Sequence, residues 1–312
     1  MDGELYNQII LETLIPESLP GVSLFMKHGT NYTLYKGPDL PFTERDKQRL
    51  TNGQVEYLFV FSSEISNYNL YVESNLSELL ENEDFSLGKR QEILCQASVS
   101  YVQEIFDAPA MNIKANLDRC KSLIKHILSD HFSPHQLMST LGSLVSHNSY
   151  TYVHSVQVSS YMTALYKLRN TEDEILMDVG IGGLFHDYGK IYVPQMILDK
   201  PDKLTCSEFE QIKGHPNLGH DALDQLGILN PIALDIVRNH HEKLCGSGYP
   251  DGLTEISSYA KIASIADVYS ALTTNRSYRQ ALTKDVALDI MSDQMKGSFD
   301  TYYLSMFSAM LN

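Results

Sequence analysis

Positive charge is scarce in this chain: 24 Lys and Arg stand against 39 Asp and Glu among 312 residues, a formal net charge of −15. Such a surface is repelled at long range by nucleic acid and by anionic membrane, which argues against DNA or a membrane as partner. Cysteine is sparser still. Cys95, Cys120, Cys206 and Cys245 form neither a CxxC pair nor a disulfide-like framework, so free thiols in a reducing compartment are expected. No run of about 18 uncharged apolar residues occurs, and the opening MDGELYNQII lacks a basic stretch followed by an apolar one. The expected location is therefore the cytoplasm. Long low-complexity tracts are also missing, and an apolar fraction of 43% with 20% charged residues is that of a folded chain rather than a disordered one.

The length exceeds the usual size of one compact domain, which favours two domains or one with a substantial appendage. Residues 1–88 carry short apolar runs divided by turn formers: Gly21 to Met26, Tyr32 to Tyr35 and Val55 to Phe61, with breaks at Lys36-Gly37-Pro38-Asp39 and Thr51-Asn52-Gly53. These read as strands, and Glu44 to Leu50 as a short helix, giving a small mixed α/β N-terminal domain with a regulatory role. Its tyrosines, including Tyr32, Tyr35, Tyr57, Tyr68 and Tyr71, read as packing groups rather than a ligand pocket. After Gly88 the periodicity becomes helical, with Ile93, Leu94, Ala97, Tyr101 and Ile105 on one face. Residues 89–132 form a helical connector and 133–312 an all-α domain. Helices are expected near 114–131, 134–146, 150–169, 172–188, 207–226, 231–243, 259–273 and 284–296. The expected fold class is α+β.

Histidine and aspartate carry the chemical signal. The segment Gly183-Leu184-Phe185-His186-Asp187-Tyr188-Gly189-Lys190 ends a helix that buries Ile175, Leu176 and Val179. An imidazole there can bind one metal ion while the adjacent carboxylate, with two oxygens, bridges to a second, and Lys190 is close enough to reach a bound phosphate. A satisfied helix-end histidine with a capping aspartate explains the dipeptide alone equally well. His154 lies on a preceding helix, and Asp267 lies among Ile262, Ile265, Ala266 and Tyr269 on a later one. A carboxylate carried into an apolar surface needs a metal, a salt bridge or a cap. His215 in a Gly-His-Pro run and the pair His240-His241 complete the set; on a helix the pair would diverge by about 100°, approaching one ion from different sides. His28, His126, His131, His135, His147 and His220 fall outside it.

These residues, in this order, resemble the HD-GYP branch of the HD-domain phosphohydrolases. The resemblance runs from about residue 147 to 305. It rests on His154-Ser155, His186-Asp187-Tyr188-Gly189-Lys190, His215-Pro216 with Gly219, His240-His241-Glu242, Gly246-Ser247-Gly248-Tyr249-Pro250, Ile265-Ala266-Asp267-Val268 and Arg276-Ser277-Tyr278-Arg279. It implies an all-helical HD-type catalytic domain, a metal-dependent cyclic di-GMP phosphodiesterase, with two divalent ions, iron or manganese. His154, His186, Asp187 and Asp267 would hold one ion and Asp187, His215, His240 and His241 the other. Asp187 would be catalytic as the bridge, Lys190 catalytic through the scissile phosphate, and Tyr249, Arg276 and Arg279 substrate-binding. Tyr150 stands where members with a third metal carry Glu, so two ions are expected; Cys245 replaces a frequent Asp, and Lys243 a frequent Arg.

The expected reaction is hydrolysis of cyclic di-GMP to pGpG or GMP by a metal-bridging hydroxide, since paired ions acidify water and hold a phosphodiester for in-line attack. One competing reading is a weakly active signalling protein that binds cyclic di-GMP or engages a diguanylate cyclase domain through the Gly-Tyr-Pro loop. Another is an HD phosphohydrolase of a different nucleotide.

Overall fold

The computed structural model describes residues 5–107, 113–128, 140–141, 150–275 and 280–311. The fold is α+β, and the chain divides into two compact units, Met1–Tyr101 and Val102–Asn312.

The first unit is built on a four-stranded antiparallel sheet of order β1-β4-β2-β3, with β1 Tyr6–Ile10, β2 Leu24–His28, β3 Asn31–Lys36 and β4 Tyr57–Phe61. Alternation decides its faces: Leu58 and Val60 are buried while their neighbours in β4 are half-exposed, so one face packs inward with Ile9 and Leu24. The other face carries a ring cluster in which Tyr6 stacks on Tyr32 at 4.0 Å and Phe25 meets Phe61 edge-on at 4.5 Å. Three strands match the apolar runs; β1 was not expected, because only Ile9 and Ile10 of its five residues are aliphatic. Helix α1, Glu44–Asn52, starts at a capping box between Thr43 and Asp46, and α2 (Ile65–Ser74) and α3 (Leu76–Glu81) follow β4. Tyr68 and Tyr71 bond to Thr13 and Ser18, which is packing. Helix α4, Leu87–Asp107, contains the boundary between the units.

The second unit is helical: α5 Ile113–Leu128, α6 Tyr150–Lys167, α7 Asp173–Phe185, α8 Gln195–Leu198, α9 Cys206–Lys213, α10 His215–Gln225, α11 Pro231–Asn239, α12 Ser258–Thr273, α13 Lys284–Asp289 and α14 Thr301–Met310. The expected helix 134–146 falls almost wholly outside the described residues. Helix α7 is central, packed on α6 and α11. A Cβ at Gly183 would lie 2.6 Å from Ser159 Cα, so glycine there sets how closely α7 approaches α6.

Several helices are shorter than their periodicity suggests, and the interruptions fall at the histidines. Helix α7 stops at Phe185, leaving His186 as its C-cap, and a 3-10 turn over Tyr188–Tyr192 follows Asp187. The expected helix 207–226 is two helices divided at Gly214, because Pro216 has no N–H to continue α9 and instead sits in the first turn of α10. Helix α11, capped by Asn230, ends at Asn239, so the His240-His241 pair lies beyond it. The segment after α13 winds into a π turn over Ile290–Gln294.

Gly189 is where the 3-10 turn meets α10. A Cβ there would fall 1.9 Å from His215 O and 2.6 Å from Gly219 N, both backbone atoms that cannot swing aside. Gly189→Ala is expected to cost about 3 kcal/mol or more through overpacking and to lower the thermal unfolding midpoint of this unit by at least about 6 °C; an unchanged midpoint would show that the contact is not tight.

Candidate metal centre

Five helices deliver the ligand-type residues to one buried point. His154 comes from the first turns of α6, His186 and Asp187 from the end of α7, His215 from the start of α10, His240 and His241 from just past α11, and Asp267 from the middle of α12. His186, Asp187, His215 and His240 are at most 1% exposed, His154 2% and Asp267 7%; only His241 keeps partial exposure.

Their donor atoms form two groups, each within 4.8 Å: His154, His186 and Asp187, and Asp187, His215, His240 and His241. Asp187 belongs to both. Its Oδ2 lies 3.3 Å from His186 Nε2 and 3.7 Å from His154 Nε2, while Oδ1 lies 3.2 Å from His215 Nε2 and 3.9 Å from His240 Nε2. Asp267 closes the ring, with Oδ1 3.1 Å from His154 Nε2 and Oδ2 3.3 Å from His241 Nδ1. The pair His240-His241 converges because it has left the helix: the rings sit 4.1 Å apart at 45° rather than diverging around an axis. Lys190 Nζ donates to Asp187 Oδ2 at 2.6 Å, and the Tyr249 ring lies 4.5 Å from that of His241. Arg276 and Arg279 lie outside the described residues, as do His131, His135 and His147. His220 pairs with Asp221 and is not part of the cluster.

The donor set fits divalent metal on proton accounting. Nδ1 of His186 donates to Gly183 O at 2.8 Å, that of His215 to Ile212 O at 2.7 Å and that of His240 to Val237 O at 2.9 Å. A carbonyl only accepts, so in each neutral ring the proton is on Nδ1 and Nε2 presents a bare lone pair. Those lone pairs face other nitrogens: His186 Nε2 is 3.3 Å from His154 Nε2, and His215 Nε2 is 3.2 Å from His240 Nε2. His215 Nε2 and His240 Nε2, both unprotonated, repel at that separation, and a cation between them would turn repulsion into coordination. Burial would raise the Asp187 carboxyl, yet its charged surroundings, the Lys190 ammonium first, outweigh burial and hold it well below the usual carboxylate range. Burial lowers His240 well below its ordinary value and takes His241 to about 3, so both rings are neutral and ready to ligate. His186 moves the other way: burial lowers it, but Asp187 and Asp267 raise it further, so a proton is the cation's competitor there.

One positioning group carried no assigned role in the sequence. Glu242 is 1% exposed, and its carboxylate accepts from three backbone N–H groups of the Gly-Tyr-Pro loop: Asp251 at 2.7 Å, Gly252 at 3.0 Å and Leu253 at 2.9 Å. It ties the loop that carries Tyr249 to the residue next to His241. Its only sequence signal was adjacency to the histidine pair. Charge-assisted bonds of this kind are each worth about 1.5–3 kcal/mol, so in Glu242→Ala the three amides are expected to exchange hydrogen at least about tenfold faster. Unchanged protection at residues 251–253 would show that the loop is held by other means.

Residues 125–302 match the family model described as HD domain. The chain is 32% identical over 210 residues to the cyclic di-GMP phosphodiesterase PA4108 of Pseudomonas aeruginosa, covering 67% of this chain and 50% of that protein. It is 38% identical over 139 residues to the cyclic di-GMP phosphodiesterase response regulator RpfG of Xanthomonas campestris pv. campestris, covering 42% of this chain and 35% of that one. Against the 3'3'-cGAMP-specific phosphodiesterase 3 of Vibrio cholerae it is 32% identical over 179 residues, 56% and 39% of the two chains. The chain thus spans half the length of these curated relatives or less. Among solved structures, Bd1817, a HDG"Y"P protein from Bdellovibrio bacteriovorus, shares the fold with a TM-score of 0.67 at 19% identity, over 98% of this chain and 99% of that one. With the family model spanning more than half of its length and the Gly248-Tyr249-Pro250 loop set against the paired histidines, the chain belongs to the HD-domain family, in its HD-GYP branch.

Proposed function

We propose that this protein is a metal-dependent phosphodiesterase that hydrolyses cyclic di-GMP to pGpG or onward to GMP. The observation that carries the reading is the Asp187 carboxylate, whose two oxygens reach two separate histidine groups while Lys190 sits on one of them. We assign His154, His186, Asp187 and Asp267 to one ion and Asp187, His215, His240 and His241 to the other, with iron as the metal and manganese as its substitute. Divalent ions held there supply Lewis-acid polarisation of a phosphodiester and acidify water at neutral pH.

The chain's own groups do the rest. Lys190 is 23% exposed and can turn from Asp187 to a phosphoryl oxygen, concentrating positive charge in a protein whose overall charge repels an anionic substrate. Tyr249, resting on His241, offers a flat surface at the edge of the site for placing the substrate. Arg276 and Arg279 are the proposed additional phosphate contacts. Tyr150 lies parallel to the His154 ring at 5.7 Å, where a carboxylate would be needed for a third ion, which supports two. Residues 1–88 are the proposed regulatory domain, 89–132 the connector and 133–312 the catalytic domain. The Gly-Tyr-Pro loop is the proposed contact for a diguanylate cyclase domain. No described helix is long and apolar enough to cross a membrane; the proposed site of action is the cytoplasm. The Vibrio cholerae relative named for 3'3'-cGAMP favours that mixed cyclic dinucleotide as the second reading of substrate.

Iron- or manganese-loaded protein is expected to convert cyclic di-GMP faster than 3'3'-cGAMP or mononucleotides. Binding of cyclic di-GMP without product at full metal occupancy would instead leave a signalling protein. Asp187→Ala should lose both ions and all hydrolysis, and Lys190→Ala should keep its metal while turnover falls by about 100-fold or more, the scale of losing one electrostatic stabiliser. Full activity in Asp187→Ala would refute the site.

A further inference from the structure

Three imidazoles of the centre are oriented by backbone carbonyls, which no substitution removes. His154 is held differently. Its Nδ1 lies 2.8 Å from Ser270 Oγ. Ser270 sits three residues after Asp267 on α12, so one helix grips both nitrogens of the ring: Ser270 at Nδ1, and Asp267 Oδ1 at Nε2, 3.1 Å away. A carboxylate at Nε2 draws the ring's single proton to that nitrogen, which would spoil it as a ligand. The serine does not by itself prevent this, because a hydroxyl both donates and accepts.

Gln157 decides the direction. Its Oε1 lies 2.7 Å from Ser270 Oγ and 2.8 Å from Thr274 Oγ1, and an amide oxygen only accepts, so both hydroxyl protons point at it. Ser270 is left with a lone pair for His154. The ring must then carry its proton on Nδ1 and present Nε2 bare to the centre. His154, Gln157, Ser270 and Thr274 are at most 3% exposed, so bulk water does not compete for these bonds.

We propose that Gln157, acting through Ser270, is a positioning residue that fixes His154 as the Nδ1–H tautomer, and that the His154–His186–Asp187 group therefore depends on this side-chain relay for its metal affinity. The proposal rests on the metal reading above. With Gln157 unable to accept, Ser270 is free to donate to Nδ1, and Asp267 takes the ring proton at Nε2.

Two readouts on the full chain test it. Long-range 15N–1H correlation on histidine-labelled, metal-free protein near pH 8 reads the tautomer directly. Wild type and Gln157→Glu, which keeps an accepting oxygen whether or not its carboxyl is ionised, should show Nδ1–H; Gln157→Leu and Ser270→Ala should shift toward Nε2–H. In Mn2+ titrations the latter two should weaken one of two sites by about 10–100-fold and leave the other within about threefold, with Gln157→Glu resembling wild type. Nε2–H in the wild type, equal weakening of both sites, or no weakening in Ser270→Ala would overturn the relay. Ser270→Ala removes a single oxygen and keeps the test open should Gln157→Leu fail to fold. A wild type with the Nδ1–H tautomer that takes up no Mn2+ sinks the metal reading instead, while the tautomers of the variants still decide the relay.

Discussion

A buried, ionised carboxylate at Asp187 is the constraint around which the second unit is arranged. At 1% exposure it has lost its water, and a lone charge there would cost several kcal/mol. Within the chain its compensation is the Lys190 ammonium, 2.6 Å away, and the imidazoles of His154, His186, His215 and His240 surround it as a ligand set for a cation. Three of those imidazoles, His186, His215 and His240, are themselves held where helices end. Gly183, Ile212 and Val237, the carbonyl partners of His186, His215 and His240, each lie in the last turn of α7, α9 and α11, where carbonyls lack a full set of helix partners. One arrangement therefore solves two problems: the helix ends gain donors, and the rings gain the tautomer that leaves Nε2 free for metal.

This accounts for what could and could not be seen in the sequence. The identities and order of the seven ligand-type residues were legible because His-Asp and His-His pairs on apolar helices are unusual and the Gly-Tyr-Pro loop is a strong mark. The helix breaks at Phe185 and Asn239 were not, since apolar periodicity continues across them, whereas the break at Gly214 had a sequence mark in Pro216 that the periodicity across 207–226 masked. A His-His pair assumed to diverge on a helix in fact converges beyond one. Gln157 and Glu242 were silent for a related reason: the first acts on residues more than 110 positions away, and the second acts on a loop through its backbone, which has no side-chain signature.

The two units differ in how their polar groups are spent. In Met1–Tyr101 the described side-chain bonds are local or structural, as in Tyr68 with Thr13, Ser23 with Glu64 and Asp46 with Thr43 and Lys36. In Val102–Asn312 the buried histidines and aspartates converge, and among the described residues both groups with metal-ligand geometry lie there. The ligand-type clusters among the described residues therefore belong to the second unit.

Asp187, with one oxygen toward each histidine group, is placed to join two metal positions. Electron paramagnetic resonance of the Mn2+-loaded chain reads this directly, because ions about 3.5–4 Å apart through a shared bridge are magnetically coupled. A coupled-pair spectrum is expected in the wild type, and Asp187→Asn should reduce it to uncoupled or absent Mn2+. Two uncoupled ions, or a single ion in the fully loaded wild type, would contradict it.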